Sequence, residues 1–134
     1  MAEMTRKELI LALAGAGERP RLGGLDLSEL DLRKLNFSSA DLIRADLHGA
    51  NLSQANLQGA NLNEADLGGA DLSLADLSNA NLNEANLGKA VLYRASLRGA
   101  NLRGANLHEA DLEGADLMGA TMPDGTLNDL APSA

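Results

Sequence analysis

Carboxylates are the commonest reactive groups in this sequence: Asp and Glu number 19, against 11 Lys and Arg and 2 His. A pair of carboxylates works as general acid and base when burial drives their pKa values apart. Carboxylates hold a metal when they converge with histidine. Neither pattern is visible. Asp41, Asp46, Asn51, Asn56, Asn61 and Asp66 recur at every fifth position, which spreads polar groups evenly instead of gathering them. His48 and His108 have no second histidine close by. No Ser-His-Asp arrangement or phosphate-cradling glycine run appears. With 0 Cys, thiolate metal sites and disulfides are excluded. The expectation is no catalytic residue, no cofactor and no metal.

The regular spacing is itself the message. From Ala40 to Ala120 every fifth residue is Ala, and from Leu42 to Leu117 every fifth is Leu. The position between them is Asp or Asn, except Val91 and Ser96. The Leu phase runs upstream through Phe37, Leu32, Leu27 and Leu22, and downstream through Met122 and Leu127. Five residues advance an α-helix by about 140° beyond a full turn, which would scatter the leucines around the cylinder. On a flat strand an odd period sends them to alternate faces. A coil that turns equally every five residues satisfies the pattern. Its axis is filled by Leu27, Leu32, Phe37, Leu42, Leu47, Leu62, Leu82 and Leu102, with Ala beside them and polar residues outward. Aromatics are 1% of the 134 residues, so this core is built from Leu and Ala. Three or four pentapeptides per turn fit the spacing equally.

The run ANLSQANLQGANLNEADLGGADLSLADL resembles the pentapeptide-repeat family in its Leu-centred form, over roughly Leu22 to Leu127. The resemblance implies an all-β solenoid: a right-handed quadrilateral β-helix, one pentapeptide per side and four per coil. Residues twenty apart would then stack, and the rod would be on the order of 25 Å long at about 4.8 Å per coil. His48 and His108 would share a column yet lie about 14 Å apart, too far to ligate one metal.

Such a rod needs end caps. Residues 1–19 read as an N-terminal capping helix and linker, 20–129 as the β-helix and 130–134 as a C-terminal tail. Thr5-Arg6-Lys7-Glu8 is a capping-box pattern. Leu9, Ile10 and Leu13 are expected to pack on the first coil, with Gly15 and Gly17 stopping the helix. Leu25, Leu30 and Leu35 replace Ala in the early repeats and should widen that coil. At the other end, either the tail folds over the last coil or another chain covers it. The second case is an end-to-end homodimer through the C-terminal coil.

One stretch breaks the polar rule. Residues 88–98 contain Val91, Ser96 and the only Tyr. Val91, Tyr93 and Leu74 should form a small apolar patch, ringed by Lys89, Arg94, Arg98 and Arg103. Tyr and Arg are favoured at binding hot spots, so these seven residues are the candidate partner-binding patch.

The expected function is a non-enzymatic structural or protein-interaction module. The competing expectation is a DNA mimic that binds gyrase or topoisomerase, a role the resemblance implies for some members. A duplex carries about one charge per 1.7 Å, or roughly fifteen over such a rod, against a net charge of −8 here. The acidic balance also disfavours direct nucleic-acid binding. The start of the chain lacks a signal-like apolar run and no segment reaches membrane-spanning length. The expected setting is cytoplasmic, away from membranes.

Overall fold

The computed structural model describes residues 4–15 and 19–129. From Arg21 to Thr121, residues at the Asp/Asn position form parallel bridges at intervals of twenty: Asp41 with Asn61, Asn61 with Asn81, Asn81 with Asn101. One coil therefore holds four pentapeptides, and the chain is a β-helix solenoid. Each bridge is a single residue, because a turn follows two positions later.

The backbone of residues 61–65 explains the sequence of the unit. Asn61 N–H donates to the Ala40 carbonyl of the preceding coil (2.9 Å). Leu62 and Glu64 N–H donate to Asn81 and Asn83 carbonyls of the next (2.7 and 2.9 Å). Ala65 N–H closes the turn on the Leu62 carbonyl (2.9 Å). Asn63 N–H remains, and the Asn61 side-chain Oδ1 accepts it at 3.1 Å. An amide left unpaired costs about as much as a lost hydrogen bond, so a short acceptor is needed once per unit. Asp and Asn supply it in the same way at Asp46, Asn51, Asp66 and Asp71.

The second residue of each turn has positive φ, as a type II turn requires. Gly49, Gly59 and Gly69 occupy it at 66°, 69° and 66°. Glu64, Glu84 and Lys89 adopt it too, near 60°, at the steric cost of a Cβ in the left-handed region.

Leu27, Leu32, Phe37, Leu42, Leu47, Leu62, Leu82 and Leu102 are all 0% exposed. Burying each such side chain stabilises the fold by about 1.5–3 kcal/mol. The adjacent alanines are equally enclosed, so any larger side chain there would collide with its neighbours.

Helix α1 (Arg6–Gly15) closes the N-terminal end. Glu8 N–H donates to Thr5 Oγ1 (3.1 Å) and Thr5 N–H to Glu8 Oε1 (3.2 Å), a reciprocal capping box. Leu9 is fully buried, with Met4 and Leu13 partly buried against the same core. Ile10 does not join them: it is 41% exposed. Leu9 and Leu13, four apart, share a helix face, whereas Ile10 lies about 100° around from Leu9. Leu25, Leu30 and Leu35 also pack partly buried on the core, and the first coil keeps the twenty-residue register. Gly17 lies outside the described residues, as do residues 130–134 of the tail.

At the other end the chain folds back on itself. Thr121 pairs antiparallel with Leu127, and Gly119 N–H donates to the Asn128 carbonyl at 2.6 Å. Among the described residues no helix is long and apolar enough to cross a membrane.

Candidate functional site

The register sorts the outward side chains into columns. Asp26, Asp46, Asp66, Asn86 and Asn106 form one. Its upper part is an amide ladder: Asn86 Nδ2 donates to Asp66 Oδ1 and Asn106 Nδ2 to Asn86 Oδ1, both at 3.1 Å. Asn83 donates to Asn63 in a neighbouring column (3.0 Å). His48 Nδ1 lies 2.7 Å from Asp46 Oδ1. That hydrogen bond, aided by the charges of Asp46, Asp66 and Glu29, raises the His48 pKa above its ordinary value.

Asp46, His48 and Asp66 bring ligand atoms within 4.8 Å of one another, the group best placed among the described residues to hold a metal. The twenty-residue register sets Asp66 beside Asp46; nothing in the sequence signals that the His48 ring turns onto Asp46 to complete the trio. Its oxygens already serve the fold: Asp46 Oδ1 accepts His48 N–H and Asp66 Oδ1 accepts Gly68 N–H.

The resolved carboxylate shifts all run downward. Asp31 falls to about 2, chiefly through its hydrogen bond from Arg33, which grips it with Nε and Nη2 at 2.9 Å each. Hydrogen bonds from Arg98 lower Asp116, from Ser28 lower Asp26 and from Thr126 lower Asp124. A general acid near neutral pH needs the opposite shift, normally from burial. A shallow groove of about 470 Å³ runs past Arg19, Asp41, Asn61, Asn79 and Asn81. It is open to solvent and lined by a mixture of small, apolar and polar residues, with Arg19 and Asp41 its charged members.

Of the seven patch residues, the structure brings four together. Val91 stands between Asp71 and Asp111 in one column. Leu74 N–H donates to the Tyr93 carbonyl (2.9 Å), and the Arg94 guanidinium lies 5.4 Å from the Tyr93 ring centroid. Lys89 sits at the preceding turn. Arg98 and Arg103 belong to the next two pentapeptides around the coil. Arg98 Nη1 pairs with Asp116 Oδ2 at 2.8 Å, and the Arg103 guanidinium lies over Gly125. The basic residues thus wrap around the coil instead of ringing one patch. Val91 and Ser96 break the Asp/Asn position in two adjacent columns: Ser96 pairs with Ser78 (Oγ–Oγ 2.9 Å), while Val91 gives Tyr93 N–H no side-chain acceptor.

Comparison with known proteins follows the same register. A family model described as pentapeptide repeats matches residues 21–59, 55–92 and 85–122. A pentapeptide repeat protein of the Arabidopsis thaliana thylakoid lumen is 38% identical, with 76% of this chain and 71% of that one covered at a TM-score of 0.71. A pentapeptide repeat protein of Nostoc PCC 7120 is 36% identical over 87% of this chain and 78% of its own, at a TM-score of 0.46. QnrB1, a plasmid-mediated fluoroquinolone resistance protein, is 25% identical over 75% of this chain and 59% of its own, at 0.35. No curated protein sequence matches the chain.

Proposed function

This chain belongs to the pentapeptide-repeat family, and from that premise we propose that it works as a non-enzymatic protein-interaction module. It is a right-handed quadrilateral rod that presents a defined contact surface to a protein partner. The twenty-residue bridging supports the finer geometry, and right-handed crossover is the general rule for parallel connections.

The observation that carries the reading is Leu74. Among the described non-glycine residues with positive φ it is the only apolar one, and it is 51% exposed. The conformation is the one the turn imposes; what sets Leu74 apart is a large apolar side chain left in water, and exposed apolar spots mark interaction sites when they gather. Beside it stand Val91, which forgoes the turn-closing acceptor, and the stacked pair Tyr93–Arg94. An apolar spot carrying Tyr and Arg has the composition of a binding hot spot.

Affinity capture with the intact chain and with a Tyr93→Ala/Arg94→Ala double variant tests this. The partner is expected to be lost from the variant while its far-UV spectrum stays unchanged. An identical set of captured proteins would remove the patch from the account. Gyrase supercoiling is expected to proceed unaffected by the chain. Inhibition at stoichiometric concentration would replace this reading with the DNA-mimic one.

A further inference from the structure

The last coil differs from every coil beneath it. Elsewhere Leu and the second turn residue donate their N–H groups to two carbonyls of the next coil, as Leu87 and Lys89 do to Asn106 and His108 (2.8 Å each). Among the described residues no coil lies above Leu107, Glu109, Leu112 and Gly114. Among the described residues none of these four amides has an acceptor. The carbonyls of Ala105 and Ala110, which in lower coils accept from above, are likewise unused.

Beneath these groups lies an incomplete apolar floor. Leu107, Leu112, Leu117 and Met122 are only partly buried, where the matching leucines one coil down are fully enclosed. The rim is mainly acidic. Glu109, Asp111 and Glu113 are all exposed, His108 lies 3.3 Å from Glu109, and Arg94 reaches Gly114 from the coil below.

We propose that residues 107–115 of the last coil accept an extended, Lys- or Arg-bearing segment of a partner protein as an added β edge. In an extended segment, carbonyls two residues apart point the same way. They match the paired amides of Leu107 and Glu109, or of Leu112 and Gly114, just as the carbonyls of one coil match the amides of the coil below. An apolar side chain of the segment would complete the floor over Leu107 or Leu112. Its cations would meet the carboxylates of the rim, which steer encounter and select sign. Main-chain bonds giving affinity and side chains giving specificity is the general logic of strand addition.

Charge sets this occupant above two others. A second copy docked through the same end would oppose two sets of Glu109, Asp111 and Glu113 carboxylates. The chain's own residues 130–134 include no basic side chain. This edge adjoins the Tyr93–Arg94 patch, since Arg94 N–H donates to the Glu113 carbonyl at 2.9 Å, but it rests on different groups: the main-chain amides and the carboxylates of the last coil.

The test uses the full chain and three fluorescein-labelled peptides of equal length that alternate Val with Lys, Glu or Thr. Fluorescence anisotropy should show the Lys–Val peptide binding at least tenfold tighter than the Glu–Val peptide, with the preference weakening as salt rises. Amide chemical shifts should move at Leu107, Glu109, Leu112 and Gly114. The triple variant Glu109→Lys/Asp111→Lys/Glu113→Lys should lose at least tenfold for Lys–Val. Asp46→Asn, in a different column, should lose nothing. Because the shift map uses the unaltered chain, the result does not depend on how the triple variant folds.

Equal binding of all three peptides, or shifts confined to the Asp26–Asp46–Asp66 column, would overturn the proposal. So would a peptide-free dimer that the peptide cannot dissolve, since a second copy would then hold the site. Protection of the four amides in dilute monomer would assign the site to the chain's own tail.

Discussion

The two ends of the rod solve the same problem differently. At the N-terminal end α1 lays Leu9 on the first coil, and Arg6 reaches back from the first turn of the helix. Its guanidinium donates to the Asp31 and Arg33 carbonyls. Those two positions are the ones that, a coil later, accept main-chain N–H groups: Asn51 O from Leu32 and Ser53 O from Lys34 (2.7 and 3.1 Å). One planar side chain with donors in a fixed fork thus stands in for a missing coil. At the C-terminal end the unused groups are mostly donors, and the folded-back segment of residues 121–128 serves only Gly119, Ala120 and Thr121 and their neighbours. Each coil of a solenoid is stabilised by its neighbours alone. A terminal coil is therefore only as stable as what substitutes for the absent one.

The contrast can be broken most forcefully through its apolar contacts. Leu9→Ala removes a fully buried side chain from the capped end and is expected to cost about 2–4 kcal/mol. Leu112→Ala, at the half-exposed open end, should cost less than about 1 kcal/mol. Urea midpoints compare them, and equal shifts would mean the ends are equally closed. The next effect is polar: Arg6→Met leaves the Asp31 and Arg33 carbonyls without the guanidinium and should cost about 1 kcal/mol, read from the same midpoints.

Smaller still, and of opposite sign, Val91→Asn restores the missing acceptor for Tyr93 N–H. It should stabilise by up to about 1 kcal/mol, seen as a raised Tm. A fall would mean that Val91 contributes packing to the fold.

Two titrations sharpen the account of the surface. The His48 pKa is raised by Asp46, so its stabilising contribution is present below about pH 6.5 and is lost as pH rises through the folded value. By NMR, Asp46→Asn should lower the His48 midpoint. Asp31, held at about 2, contributes at the capped end above its unfolded pKa. That contribution is lost as pH falls from about 4 towards 2, and Arg33→Ala should move the Asp31 midpoint upward.

The axis was legible from sequence because Leu at a fixed period has one geometric solution, and the Thr5–Glu8 box was legible from its own residues. Spacing leaves the number of pentapeptides per coil open; the family resemblance implies four, and the twenty-residue bridges agree. What escaped is side-chain detail: the His48 ring turned onto Asp46 beside Asp66, and Arg98 and Arg103 on the next two sides of the coil from Tyr93. Arg6 escaped for another reason. Nothing in its neighbours in sequence points to carbonyls that reach it only after the chain has entered the first coil. Ile10 is apolar at near-helical spacing, yet only Leu9 and Leu13, four apart, share the face that meets the core, and Ile10 is 41% exposed.

Residue-resolved amide hydrogen exchange on the monomer tests the twenty-residue coil with one closed and one open end most directly. The amides of Leu87, Lys89, Leu92 and Arg94 should exchange about a hundredfold or more slowly than those of Leu107, Glu109, Leu112 and Gly114. Equal exchange in the two sets would contradict both the register and the open end.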